Sequence, residues 1–182
     1  MIQSSPAITK LSDLPHTAIS PDDAVIFGGT FDPIHDGHVS VIRALVPRYP
    51  RVILAPTAAN PWKAPPRAPL DVRREMIARV LKCEGLLPER GSGEQEPLII
   101  SDIEYDFVDD FVKVEREKTA GRLYWAVGED SADTVRHWRN WAHLGISVVT
   151  VPVTIDVHAT EVREGAKALH PALQGYASLY SS

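Results

Sequence analysis

Apolar residues recur in short blocks along the chain, and the blocks alternate between two rhythms. Residues 24–29, AVIFGG, form a continuous apolar run closed by paired glycines, and residues 38–46 place Val39, Ile42, Leu45 and Val46 at helical spacing. This pattern predicts a strand, a glycine loop and a helix. Pro47 and Pro50 break the chain before a second buried strand over 51–56, and residues 57–69, with four prolines and no period, read as a long loop. An amphipathic helix over 70–82 follows, its buried stripe made by Leu70, Met76, Ile77, Val80 and Leu81. After a flexible connection over 83–97 come a strand (98–101), a helix (106–118), a strand (122–128), a helical segment (131–138), a strand (146–153) and a mostly helical stretch over 160–179. Strands alternating with helices predict an α/β fold, Rossmann-like and doubly wound, with a mainly parallel sheet and helices on both faces. Residues 1–22, rich in Ser, Pro and Thr and without period, read as an irregular N-terminal extension, leaving 23–182 as a single domain.

Composition narrows the function classes. With 182 residues, 44% hydrophobic and 24% charged, the chain can bury its own core, which sets aside disordered and low-complexity classes. The single cysteine, Cys83, excludes an internal disulfide and a multi-thiolate zinc site, and within its helix it reads as a small core residue. Net charge is -5 and no cluster of Lys and Arg marks a nucleic-acid surface, so any anion binding must be local. No window has the continuous apolar length of a membrane span and the N-terminus lacks the build of a signal peptide. The chain reads as cytoplasmic, with no nucleic-acid or membrane partner; a homo-oligomer is left open.

The densest chemistry lies in GGTFDPIHDGH, Gly28 to His38, where the first predicted strand hands over to the first helix. Ligands of parallel α/β sheets bind at the carboxyl ends of strands. Gly28 and Gly29 let the backbone approach a ligand, Thr30 offers a hydroxyl, and Gly37 leads into a helix N-terminus whose free N–H groups favour phosphate. His35 and His38, three apart, can point two imidazoles at one anion without a permanent positive charge. Taken singly, each would read as an ordinary satisfied histidine, and no ligand spacing for zinc or another resident metal accompanies them.

The whole string resembles the signature of the H-x-G-H nucleotidyltransferase superfamily, and within it the nicotinate-mononucleotide adenylyltransferases, which carry G-G-[TS]-F-D-P-x-H-x-G-H. The resemblance continues in order over about residues 24–180. APTAANPWK is similar to the family's loop after the second strand, which implies that Lys63 reaches the triphosphate; alone it would read as a solvated loop lysine. DVRREMI resembles the Arg-x-x-Met helix, implying contact of Arg73 or Arg74 with acceptor phosphate, against a plain reading as solvated helix charges. YWAVGEDSADTVRHWRNW looks like the strand-Gly-x-Asp-Ser segment, which puts Gly128 and Asp130 beside the nucleotide and Trp138 or Trp141 near the acceptor's pyridine ring; core packing is the alternative for each Trp. HATEVREGA is similar to the Ile-Ser-Ser-Thr-Glu-Ile-Arg element, implying that Thr160 and Arg163 bind phosphate.

The resemblance therefore implies adenylyl transfer from ATP, with magnesium, to nicotinate mononucleotide in NAD biosynthesis. His35, His38, Lys63 and Arg163 would be catalytic, and Gly28, Gly29, Thr30, Phe31, Gly37, Gly128, Asp130 and Thr160 would bind the ATP. Two departures qualify it. Where the family has Ser-Tyr-Thr, this chain has the acidic YDFVDDF, whose carboxylates would repel a nicotinate and keep nicotinamide mononucleotide open as acceptor. His158-Ala159 replaces a hydroxyl-bearing pair. The rival readings are transfer to another phosphorylated acceptor and a nucleotide sensor without turnover.

Overall fold

A computed structural model describes residues 5–87, 96–155, 157–165 and 167–181. Six strands make one sheet: β1 (Ile8–Lys10), β2 (Ala24–Gly29), β3 (Val52–Pro56), β4 (Leu98–Ile100), β5 (Leu123–Gly128) and β6 (Ser147–Val151), in the spatial order β1-β6-β5-β2-β3-β4. Every pairing is parallel. Alternate residues of one strand face opposite sides: Val25 and Phe27 enter a core with α1 (Asp36–Leu45) and α2 (Leu70–Cys83), while Ala24 and Ile26 enter a second with α3 (Val108–Lys118) and the 3-10 turn Glu129–His137. Burial on both faces explains why these strands read as unbroken apolar runs.

The chain moves outward from β2 to β3 and β4, then returns to the other side of β2 to place β5 and β6. Strand order thus reverses between β2 and β5, and a crevice opens at the carboxyl ends of that pair.

The structure departs from expectation in four places. Ile8–Lys10, inside the extension read as irregular, is an edge strand bonded to β6; three residues are too few to show a period. The helix expected over 131–138 is a 3-10 turn, Glu129–His137, that ends before Trp138. The C-terminal stretch splits into α4 (Ala159–Arg163) and a 3-10 turn, Pro171–Leu179, because Gly165 takes φ +76 just past α4 and ends it. Cys83 is exposed at the last residue of α2, not in the core. Most of the predicted 83–97 connection lies outside the described residues.

Candidate active site

The crevice is a cleft of about 840 Å³, lined by the ends of β2 and β5, the entry to α1, the 57–69 loop and the start of α4. Its floor is set by the loop after β2. Phe31 holds φ +50, uncommon for a bulky residue, and its ring is buried against Phe27 (5.6 Å between centroids) and beneath His38 (4.6 Å). Phe31 lines the cleft, but its side chain is a support for His38.

His35 and His38 stack with centroids 3.7 Å apart and planes 26° off parallel. The His35 main-chain N–H donates to His38 Nδ1 at 3.1 Å, which leaves Nε2 of the neutral ring as the donor. Burial, then the charge of His158, pushes the His35 imidazole down to about 4, with Glu161 opposing. Burial, then His35, His158 and Lys63, holds His38 well below the usual histidine range. Both rings are therefore neutral at pH 7 and present N–H groups rather than charge. Gly37 makes the stack possible: a Cβ there would lie 3.0 Å from His35 Cε1 and Nδ1 and 3.1 Å from the Val157 carbonyl.

Fixed charge comes from the rim. Lys63 is exposed on the 57–69 loop beside the exposed Trp62. Arg163 is held rigidly: Nη1 donates to the Asp32 carbonyl at 2.7 Å and Nη2 to Thr160 Oγ1 at 3.0 Å. Across the cleft, a Cβ on Gly128 would lie 2.6 Å from Asp130 Oδ1, so the glycine lets that carboxylate turn back over the end of β5. Lys63, Arg67 and Arg163 face Asp32 and Asp130 around the lining, a local cationic excess in a chain of net charge -5.

Asp32, quoted in the motif without a role, is the buried tie of the site. Its oxygens accept from the Arg67 N–H (2.7 Å), the Ala68 N–H (3.2 Å) and the Tyr180 hydroxyl (2.8 Å). One carboxylate thus fastens the post-β2 loop to the 57–69 loop and to the C-terminal turn. Nothing in the sequence marks it, since its partners lie far along the chain.

A family model for the cytidylyltransferase-like proteins matches residues 26–168, which spans β2 through α4 and every wall of this cleft. The chain belongs to the cytidylyltransferase-like family. A relative from Solibacter usitatus, named a probable nicotinate-nucleotide adenylyltransferase, is 34% identical over 75% of this chain and 72% of its own length. One of the same name from Ruegeria pomeroyi is 29% identical over 84% and 67%. Among solved structures, a Plasmodium falciparum nicotinic acid mononucleotide adenylyltransferase complexed with NaAD matches with TM-score 0.65 at 15% identity, over 87% of this chain and 97% of that one. A bifunctional NMN adenylyltransferase/ADP ribose pyrophosphatase from Francisella tularensis matches at TM-score 0.60 and 19% identity, over 79% and 41%. The chain shares the fold of both.

Within this cytidylyltransferase-like domain, all twelve residues expected to be catalytic or to bind ATP line the one cleft. The four expected at the acceptor do not. Arg73 is 1% exposed and donates to four main-chain carbonyls, those of Ala68, Thr30, Thr57 and Ala58, at 2.6–2.9 Å. It positions the two site loops and has no face left for a substrate. Arg74 donates to the carbonyls of Ser101 and Ile103. Trp138 and Trp141 continue an edge-to-face series from Trp125 at 5.5 and 6.2 Å, packed on the second core. Both are half-buried, so packing on the platform that β5 supplies occupies one part of each ring and leaves the rest at the surface.

The acidic segment is also altered by its surroundings. Asp109 and Asp110 both pair with Arg139 at 2.7 Å, Asn140 donates to Asp109, and the Arg139 guanidinium lies 4.0 Å above the Phe107 ring. Asp106 accepts from the Ala59 N–H at 3.1 Å. Arg139 thereby offsets one of the charges of Asp109 and Asp110, which lessens the repulsion expected toward a nicotinate and leaves the segment acidic.

Proposed function

We propose that this nucleotidyltransferase moves the adenylyl group of ATP to the 5'-phosphate of nicotinate mononucleotide, giving the dinucleotide and pyrophosphate. The observation that carries the reading is the convergence of the stacked neutral histidines, Lys63 and Arg163 on one cleft at the strand-order reversal. The names of the curated relatives favour the nicotinate acceptor, and the pairing of Asp109 and Asp110 with Arg139 lessens the physical objection to it.

In this reaction an acceptor phosphate oxygen bonds to the α-phosphorus of ATP while the bond from that phosphorus to the bridging oxygen breaks, and pyrophosphate carries off the electron pair. No protein nucleophile is required; the work is alignment and stabilisation of charge growing on the α-phosphate and the leaving group. His38 and His35 offer N–H donors to the phosphates, and Arg163 and Lys63 supply positive charge toward the β- and γ-groups. The fixed geometry of Arg163 matters here, because a donor already aimed needs no reorganisation. Magnesium enters as part of the ATP complex. Of the two carboxylates lining the cleft, Asp32 has its oxygens engaged, so Asp130, phosphate and water would be the ligands open to the ion.

The test is pyrophosphate release from ATP and magnesium with nicotinate and nicotinamide mononucleotides offered in parallel. Turnover with nicotinate mononucleotide should be the faster, and His38→Ala should lower kcat by about 10²-fold or more. Faster turnover with the amide would transfer the assignment to nicotinamide mononucleotide. ATP binding without turnover on either would point to another phosphorylated acceptor or to a sensor.

A further inference from the structure

Arg163 belongs to a closed ring of hydrogen bonds that also contains Arg67, a residue outside every sequence motif quoted above. Arg163 Nη1 donates to the Asp32 carbonyl at 2.7 Å, the Asp32 carboxylate accepts from the Arg67 main-chain N–H at 2.7 Å, and Arg67 Nη1 donates to the Arg163 carbonyl at 3.2 Å. Each residue thus gives the ring both a main-chain and a side-chain group. The ring joins the loop after β2, the 57–69 loop and the end of α4. Its last contact is made to a helix end. α4 has five residues, and the N–H groups of Glu164, Gly165 and Lys167 take up the carbonyls of Thr160, Val162 and Glu161. The carbonyl of Arg163, the last helical residue, receives the Arg67 guanidinium instead. Arg67 is itself well held, with Pro65, Pro66 and Pro69 restricting the backbone on either side and Asp32 fixing its N–H.

Resting on the adenylyltransferase reading above, we propose that Arg67 is a positioning residue, which pins the end of α4 so that the Arg163 guanidinium stays aimed at the leaving pyrophosphate. A helix of five residues, followed at once by Gly165 at φ +76, is too short to hold its own axis. Arg163, at its last position, would swing with it. Asp32 and Thr160 fix the guanidinium end of Arg163 and Arg67 fixes its main-chain end, so the side chain is anchored at both. This role differs from contact with the substrate in what it does to the kinetics. A cation that binds polyphosphate in the ground state lowers KM, whereas a group that keeps another donor aimed at charge growing in the transition state raises kcat.

Steady-state pyrophosphate release by the full chain, with ATP, magnesium and the faster of the two mononucleotides, tests this on Arg67→Met and Arg67→Lys, each alone and combined with Arg163→Lys. Methionine keeps much of the length and loses every donor, while lysine keeps a donor of similar reach. Arg67→Met should lower kcat about 10-fold and change KM for ATP by less than about 2-fold, with a melting temperature within about 2 °C of the parent. Arg67→Lys should recover most of the lost kcat. In the Arg163→Lys background the fork that Arg67 keeps aimed is gone, so Arg67→Met should there cost less than about 2-fold. Three results would each overturn the proposal. One is parental kcat in Arg67→Met, as a merely structural role would give. Another is a rise in KM for ATP with no fall in kcat. The third is an equal loss with and without Arg163→Lys, which would assign Arg67 a substrate contact of its own. Any of these in a parent that turns over removes this inference alone; a parent that turns over neither mononucleotide overturns the adenylyltransferase reading and this one together.

Discussion

At the scale of single residues, the site depends on side chains whose neighbours leave them no alternative. Gly37 is one. Its missing Cβ leaves room for the His35 ring and the Val157 carbonyl, and a carbonyl held in backbone cannot move aside as a flexible side chain can. Gly37→Ala is expected to push His35 off His38 and lower kcat by at least about 10-fold, checked by the same pyrophosphate assay, with a smaller change in melting temperature. Asp32 is another. Asp32→Asn replaces one accepting oxygen by an NH2 group that would face an N–H or the Tyr180 hydroxyl, so stability should drop by about 2–4 kcal/mol in urea unfolding. Tyr180→Phe, which removes one of those donors, should cost less. That His35 and His38 line the cleft was legible because the string around them is a local pattern, while Lys63 and Arg163 were placed there only through two further segments, APTAANPWK and HATEVREGA. Asp32 lay inside the same string and its role was not legible, because the role consists of partners on other parts of the chain.

At the scale of elements, α2 does two things with one helix. Its apolar stripe, Met76, Ile77, Val80 and Leu81, fills the first core, and Arg73 reaches from its first turn to hold the loops after β2 and β3. Arg73→Lys keeps the charge but loses the planar fork, so several carbonyls lose their donor. KM for ATP should rise several-fold as the 57–69 loop loosens, and native-state hydrogen exchange should quicken in that loop before it does in β3. Helical spacing marked α1, α2 and α3 clearly in the sequence, since each carries enough turns to show a period. It could not separate the α-helical from the 3-10 geometry of Glu129–His137, nor show that α4 stops after five residues. Those outcomes are decided by packing and by Gly165. β1 illustrates the same limit: removing residues 1–10 should uncover the β6 edge, lower the melting temperature and increase self-association by light scattering, although three residues gave no signal of a strand.

At the scale of the whole molecule, the parallel sheet was predictable from alternating elements, while the site depended on where strand order turns back, which only the assembled sheet reveals. Acid sensitivity belongs to this scale too. His35 has its folded value pushed down to about 4 from an ordinary 6.5, so between those values the unfolded chain binds more protons than the folded one. Stability is then unaffected by this group above pH 6.5 and declines as pH falls through the window, by on the order of 3 kcal/mol at most, with His38 adding in the same direction. Urea midpoints measured from pH 7 to pH 4.5 should fall steadily, and His35→Gln should flatten the slope.

The carboxylate of Asp32 meets the hydroxyl of Tyr180 across 148 residues of chain, so the turn that clasps the histidine loop is made long after the loop itself. A ribosome that has delivered β6 has supplied the whole sheet but not the clasp. The nascent domain can therefore take its shape before its active loop is locked, and the turn that carries Tyr180 is the part that completes it.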